Sequence, residues 1–459
     1  MEDTAPGLPV PWPTDSGGNL VVGGVRAIDL ARTYGTPLYV LDRGAVRGRM
    51  RRYAKALATY GGTMAYAGKA FLTGAMVRLV REEGTLLDVV SQGELHVALR
   101  RGLGADRMLL HGNGKSTAEL RHALGQGIGR VVVDSLEELE RIRSLSAEAG
   151  VRARVLIRVT PGVEAGAHHA IQTGGHDSKF GLGIGDGQAR SAVSRALQMA
   201  EVELCGYHCH IGSQILDTRP FAEATDAVLH FAEAMKGEFG YWPYELDLGG
   251  GLGVRYVASD EPPSIEDHVE ATAGRVRRFC EAAGYPMPRV ILEPGRAIVA
   301  EAGITLYTVC DRKEVSHMRT FVAVDGGMGD NPRPALYGSR YVAVLADRVY
   351  DSPSEHVTLV GRYCESGDVL IEEAHLPHVV AGDVVAVLTT GAYTHSMAST
   401  YNRVPRSAVV FVEDGRAKLV VRRETYEDLL SLDVDEPEES FPSSLAGGGA
   451  SRVRQDSTD

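Results

Sequence analysis

Four short segments of this chain carry side chains suited to chemistry on a small molecule. Tyr66-Ala67-Gly68-Lys69 ends a β-rich run on a lysine, whose amine can condense with an aldehyde. His208-Cys209-His210-Ile211-Gly212-Ser213 carries two histidines at the two-residue spacing that sets both on one face of a strand. Asp247-Leu248-Gly249-Gly250-Gly251-Leu252-Gly253 is rich in glycine, which lets backbone approach an anion closely and offers it bare N–H donors. Glu293-Pro294-Gly295-Arg296 adds a carboxylate and a guanidinium. The glycine run is not a dinucleotide fingerprint: GxGxxG fails at Val254 counted from Gly249 and at Tyr256 counted from Gly251. GxxxxGK[ST] is absent too, so one phosphate fits here better than those of a dinucleotide or a nucleoside triphosphate. The histidine pair lacks a third ligand close in sequence, and no metal is expected.

These segments need elements to hold them. From Thr63 to Glu293 a β-rich run, polar or Gly-containing punctuation and a stretch of helical period recur. The pattern predicts strands at Thr63–Ala67, Leu86–Val90, Met108–His111, Arg130–Asp134, Ala153–Val159, Glu203–Cys209, Tyr244–Leu248 and Arg289–Glu293. Helices are expected between them, for example over Thr117–Gly125 and Ser135–Gly150. Such alternation implies a parallel sheet, and this many units over this length imply a (β/α)8 barrel rather than an open Rossmann sheet. Beyond Ala300 the texture is β-rich: Ile304–Val309, Thr320–Val324, Tyr341–Ala346, His356–Gly361, Val384–Leu388, Ser407–Val412 and Ala417–Val421. The expected organisation is an N-terminal segment, 1–45, lending Leu38–Asp42 to a β domain, then a barrel over 46–300. An all-β domain follows over 301–432, then a disordered tail over 433–459 rich in Asp, Glu, Ser and Gly.

Bulk properties narrow the class. A net charge of -12 over 459 residues disfavours nucleic acid and anionic membrane as partners. No apolar run reaches the length of a membrane span. The five cysteines have no close pairing, as in reduced cytosolic proteins. The acidic, proline-containing start, Glu2 and Asp3 included, does not resemble a secretory signal. A cytoplasmic location is expected.

In a barrel of this kind the functional groups follow the carboxyl ends of the strands, and phosphate commonly sits after the seventh and eighth. Lys69 would then follow the first strand, His111-Gly112-Asn113 the third, the histidine pair the sixth, and the glycine run and Glu293-Pro294-Gly295-Arg296 the last two. A lone lysine at such a mouth is ordinarily solvated or ion-paired. A lysine facing a phosphate loop is what pyridoxal phosphate needs.

Here the chain resembles a known family. Tyr66-Ala67-Gly68-Lys69-Ala70-Phe71, His208–Gln214, Gly249–Gly253, Glu293–Arg296, Cys364-Glu365-Ser366-Gly367-Asp368 and Gly391-Ala392-Tyr393 look like the signatures of fold-type III pyridoxal-phosphate decarboxylases. That family has an alanine-racemase-like barrel with a C-terminal β domain. More narrowly, Asp325-Gly326-Gly327-Met328, Arg333-Pro334-Ala335-Leu336-Tyr337-Gly338 and Arg422-Arg423-Glu424-Thr425 resemble bacterial diaminopimelate decarboxylases. The similarity runs in order from about Gly23 to Asp433.

The resemblance implies a role for each matching residue. Lys69 would hold the cofactor covalently, Glu293 would face the pyridine nitrogen, and His210 would stack on the ring. Ser213, Gly251, Pro294, Gly295 and Arg296 would line the phosphate site, with Tyr393 closing over it. Arg296, Arg333, Tyr337, Tyr393 and Glu365 would bind the substrate, the arginines and Glu365 clamping the second amino-acid end of meso-diaminopimelate. Cys364 would protonate the carbanion left when carbon dioxide departs. Cys364 and Glu365 would come from a partner subunit, making a homodimer with shared active sites. The implied reaction gives L-lysine and carbon dioxide, the last step of lysine biosynthesis. Its alternative is the same chemistry on a related or carrier-bound amino acid. A regulator without activity would be expected to lack the lysine or the cysteine, and a racemase would need a second acid/base opposite Lys69. Departures are Phe71, Gly329, Pro332, Thr394 and His395, of which His395 is expected beside the site, where it could retune specificity.

Overall fold

The structure, a computed structural model, describes residues 3–4, 12–163 and 178–434. The expected tail, apart from Asp433 and Val434, lies outside the described residues. Strand β1 (Leu38–Asp42) leads into the helix Arg43–Ala58, which Asp42 caps by accepting from the Ala45 N–H at 2.8 Å.

Eight strands then alternate with helices: β2 (Thr63–Ala67), β3 (Leu86–Val89), β4 (Met108–Leu110), β5 (Arg130–Val133), β6 (Ala153–Thr160), β7 (Val202–His208), β8 (Glu245–Asp247) and β9 (Arg289–Leu292). Each pairs in parallel with the next, and β9 pairs with β2 through Ile291 and Thr63, which closes the barrel. All eight expected strands are present, their ends within one residue of the expected bounds. The helices obey local signals. Ser135 accepts from the Glu138 N–H and Gly150 ends Leu136–Ala149 in the left-handed conformation. Ser116 and Glu119 form a capping box at Thr117–Gly125.

Inside the barrel the two-residue period builds layers. Ala65, Leu86, Leu109, Val132, Leu156, Cys205 and Ile291 form one buried apolar cluster. Two residues further along the strands stand Asp88, His111, Asp134, Arg158 and Glu293, all buried. Strand β7 reaches this layer with His208, one residue later than the period predicts, because its register against β6 shifts beside Cys205. Two residues before the apolar layer, Arg130 below Val132 donates Nε to Glu245 Oε2 at 2.8 Å, while Arg154 Nη2 is 3.9 Å from the same Glu245 carboxylate.

Beyond the barrel the strands are β10 (Gly303–Val315), β11 (Arg319–Val324), β12 (Ala343–Leu345), β13 (Glu355–Val360), β14 (Val369–Leu376), β15 (Val384–Val387), β16 (Ala408–Glu413) and β17 (Arg416–Val421). Their sheet runs β14-β13-β11-β10-β1-β16-β17, with β15 joining β10 to β12. Strand β1 lies antiparallel to β10 and parallel to β16, so a segment preceding the barrel is stitched into the sheet that follows it.

Beyond the barrel, two elements depart most from the expected pattern. Strand β14 went unpredicted because Glu372 and Glu373 are both exposed where its register against β13 shifts, which destroys the apolar alternation. Strand β10 runs to Val315 instead of Val309, past a bulge into the charged stretch Asp311–Glu314, whose pairing with β11 outweighs its composition.

The buried Arg130–Glu245 pair yields a stability prediction. Arg130→Met strands a carboxylate beneath the apolar layer and should lower the free energy of unfolding by about 3–5 kcal/mol. Adding Glu245→Met should restore most of that loss. Urea unfolding followed by circular dichroism checks both, and an undiminished single variant would contradict it.

Candidate active site

The ionisable layer at the carboxyl ends of the strands faces a cavity of about 720 Å³ lined by Lys69, His111, Arg158, His208, His210, Ser213, Tyr256, Glu293, Arg296, Arg333, Tyr337 and Tyr393, among others. Lys69 enters from a single 3-10 turn directly after β2. Its Nζ lies 3.3 Å from Asp88 Oδ2. Burial works to lower its pKa, but Asp88, ahead of Tyr393 and Glu293, outweighs burial and raises it. An ammonium is thus held at the floor of the cavity.

Glu293 is the hub of that floor. Its Oε2 lies 3.2 Å from His208 Nε2 and its Oε1 2.7 Å from His111 Nε2. Burial would raise its pKa, yet the two histidines bring it well below the usual carboxylate range. The neighbouring Asp247, wholly buried and accepting from the Gly249 N–H at 3.0 Å, is pushed far up by burial and by the charge of Glu293. The two carboxyl groups are thus driven in opposite directions, Glu293 toward the ionised form and Asp247 toward the protonated one. Burial takes His208 down to about 3, so its ring is neutral. His208 gains two donor neighbours that sequence spacing does not show. The donor atoms of His111, His208 and Glu293 all lie within 4.8 Å of one another, with both Nε2 atoms turned toward the carboxylate.

The opposite wall is a cradle of close-packed backbone. An ideal Cβ on Gly250 would sit 2.1 Å from the Glu293 carbonyl oxygen, and one on Gly251, at φ 116°, would sit 2.5 Å from that of Gly212. A narrow recess opens here, lined by Ala67, Ser213, Gly251, Pro294, Gly295, Arg296 and Tyr393. His210 Nδ1 accepts from the Gly250 N–H at 3.3 Å, which leaves Nε2 as the protonated nitrogen of the neutral ring. Ser213 Oγ accepts from Arg296 Nε at 3.2 Å and Nη2 at 3.1 Å. Tyr393, at a positive φ of 57°, donates its N–H to the Ala70 carbonyl at 2.8 Å, and Arg296 lies 4.9 Å over its ring.

At the far end Arg333, buried on the short helix Arg333–Tyr337, donates Nη1 to Tyr341 at 2.6 Å and to Tyr256 at 2.9 Å. Arg158 lies 4.5 Å over the Phe180 ring and 3.7 Å from Asp134.

Eleven of the predicted residues meet around the cavity and its recess: Lys69, His210, Ser213, Gly251, Glu293, Pro294, Gly295, Arg296, Arg333, Tyr337 and Tyr393. Cys364 and Glu365 do not. Both are exposed, on a loop where Cys364 N donates to Asn402 and Glu365 accepts from Tyr401 at 2.7 Å. His395 is near but faces away from the cavity, packed 5.5 Å from each of the rings of Tyr39 and Phe71. Asp88, Arg158, Tyr256 and Tyr341 went unnoticed in the sequence. For Asp88 a signal existed: a charge inside the otherwise apolar strand Leu86–Val89.

An amine at the floor, an ionised carboxylate beside it and a glycine cradle across from it fit pyridoxal phosphate: aldehyde carbon, ring nitrogen and phosphate each find a partner. Site and fold define a pyridoxal-phosphate-dependent barrel enzyme. Residues 43–300 match the family described as pyridoxal-dependent decarboxylase, pyridoxal binding domain. The diaminopimelate decarboxylase of Bacillus subtilis is 47% identical over 91% of this chain and 95% of its own length. That of Mycobacterium tuberculosis is 44% identical over 92% and 97%. Among solved structures, diaminopimelate decarboxylase from M. jannaschii in complex with L-lysine superposes with a TM-score of 0.86 at 35% identity, covering 92% of this chain and 98% of that one. The chain belongs to the diaminopimelate decarboxylases of the pyridoxal-dependent decarboxylase family, and its cofactor is pyridoxal phosphate.

Gly250→Ala tests the cradle. The added methyl cannot be accommodated without displacing the Glu293 backbone, so affinity for pyridoxal phosphate should fall about tenfold or more while the barrel stays folded. Titration of cofactor-free protein, read by absorbance, checks this; unchanged affinity would mean that the cradle yields.

Proposed function

We infer that this enzyme removes one carboxylate of meso-2,6-diaminopimelate and releases L-lysine and carbon dioxide, a step of lysine biosynthesis. The observation that carries the substrate assignment is the far end of the cavity. Arg296 and Arg333 are 5% and 4% exposed and have no carboxylate partner among the described residues. Two buried cations without an anion are costly unless a ligand supplies one. Diaminopimelate does so with its second carboxylate, whereas a substrate such as ornithine has none.

The cofactor, when bound, supplies an electron sink for the pair left behind by departing carbon dioxide. Lys69 would hold it, and Glu293 would face the ring nitrogen and favour its protonated form. His210 would pack against the ring. Ser213, Gly251 and the backbone of Pro294, Gly295 and Arg296 would hold the phosphate, with Tyr393 beside it. Arg296, Arg333 and Tyr337 orient the distal carboxylate, so that the other α-carbon is the one placed over the floor. Glu365 takes the distal ammonium, and Cys364 returns a proton to the reacting carbon. Their exposure on a loop away from their own chain's cavity supports a homodimer in which each subunit completes the other's site. The acidic chain, in which no described helix is long and apolar enough to cross a membrane, fits a biosynthetic enzyme of the cytoplasm.

Purified protein should be yellow, borohydride should fix the colour to Lys69, and meso-diaminopimelate should yield L-lysine with release of carbon dioxide. Arg333→Ala should cost about 2–5 kcal/mol in kcat/KM, the range for stripping a charged partner from a water-excluded site. Normal kinetics in that variant would refute the distal clamp. A Lys69→Ala protein still carrying reducible covalent cofactor would refute the assignment of the lysine.

Subunit mixing tests the shared site. Homodimers of Lys69→Ala and of Cys364→Ala should each be inactive. After exchange, a heterodimer carries both lesions in one site and neither in the other, so activity should return to about half of wild type per heterodimer. If both groups came from one chain, every site would keep a lesion. No recovery despite exchange proven by an independent tag would then exclude the shared site.

A further inference from the structure

We propose that Tyr256 makes the distal pocket select a second carboxylate: its phenolic oxygen ties Arg296 to Arg333, and its hydroxyl proton is a third donor offered to the substrate. The proposal rests on the functional reading above and deepens it by naming the positioning residue behind the two arginines.

The geometry is specific. Arg296 Nη1 donates to the Tyr256 oxygen at 2.5 Å and Arg333 Nη1 donates to the same atom at 2.9 Å. One arginine comes from the end of β9 and the other from the short helix Arg333–Tyr337, so this oxygen is where barrel and C-terminal region are joined at the site. Both guanidiniums also lie over the ring, at 5.7 Å and 4.9 Å from its centroid. Tyr341 packs edge-on against it at 5.3 Å. The backbone is pinned as well, Tyr256 N donating to Asp260 Oδ2 at 2.9 Å. A phenol has two acceptor lone pairs and one proton. The arginines use both lone pairs, and among the described residues nothing accepts the proton, although Tyr256 lines the cavity.

That arrangement suits a carboxylate. Like-charged guanidiniums repel, and a neutral oxygen accepting from both holds them together without cancelling their charge, which an acidic side chain would do. Each guanidinium keeps further N–H groups for the ligand. Burial alone would raise the phenol's pKa, but Arg296 and Arg333 outweigh it and bring it below the usual tyrosine value. The neighbouring Tyr341, where burial prevails, is pushed up to about 12. Tyr256 is therefore the stronger donor of the two.

The test uses holoenzyme and two ligands that share a diamine chain and differ in the carboxylate: L-lysine and 1,5-diaminopentane. Tyr256→Phe keeps the ring and its packing and removes only the oxygen. It should raise the KM for meso-diaminopimelate and the calorimetric Kd for L-lysine by about tenfold or more, as for a charged group losing its buried partner. The cofactor absorption spectrum and the Kd for 1,5-diaminopentane should stay nearly unchanged. Tyr341→Phe, which removes one bond to Arg333 alone, should give a smaller rise. An unaltered Kd for L-lysine, an equal weakening of both ligands, or a larger effect from Tyr341→Phe would overturn the proposal. Wild-type protein that does not convert meso-diaminopimelate would overturn the functional reading, while the comparison of the two ligands would still decide the role of Tyr256.

Discussion

The rest of the site depends on one constraint: a barrel strand can show its interior only every second residue. With Ala65, Leu86, Leu109, Val132, Leu156, Cys205 and Ile291 filling the middle of the barrel, the next inward positions are forced to the top of that plug. There Asp88, His111, Asp134, Arg158 and Glu293 stand on a dry apolar floor. A charge in that place can be satisfied only by its neighbours in the ring or by a ligand above. The register shift in β7 belongs to the same logic, because without it His208 would miss the layer and Glu293 would lose one of its two histidine contacts.

From that constraint follows the separation of charge within the cavity. At the floor, negative charge gathers: Asp88 holds the Lys69 ammonium and Glu293 remains ionised between His111 and His208. Asp247 is the group that yields, its pKa driven up by burial and by the charge of Glu293 beside it. At the far end the charge is positive and unmatched within the described chain. The cavity therefore has a direction before anything binds.

Much of this was legible in the sequence, for reasons that differ from residue to residue. The eight barrel strands were visible because their runs are apolar and separated by helical stretches with sound caps, such as Ser135 and Ser116. Lys69, Gly251, Glu293 and Arg296 were visible because the loops after barrel strands are where chemistry sits. Asp88 escaped because it lies within an apolar strand, and Tyr256 because its value lies in two long-range bonds to Arg296 and Arg333 that no local pattern reports. His395 drew attention as an odd residue beside Tyr393, yet one backbone turn is enough to send its ring toward Tyr39 and Phe71. Strand β14 was hidden by the bulge that exposes two successive glutamates.

The two ends of the cavity also show what the strand-rich region after the barrel contributes. The barrel supplies Lys69, Glu293 and the glycine cradle. Arg333, Tyr341 and Tyr393 arrive from beyond β9, and they reach the mouth because β1, which precedes the barrel, pairs on both sides with strands that follow it. Tyr393 then donates its N–H to Ala70, one residue past the lysine. That bond ties the segment after β15 directly to the lysine turn after β2. The positive φ at Tyr393 is a local strain that this bond has to hold in place. A ligand that brings a carboxylate to the far wall matches its two buried arginines, and one lacking it leaves them facing each other across a single phenol oxygen.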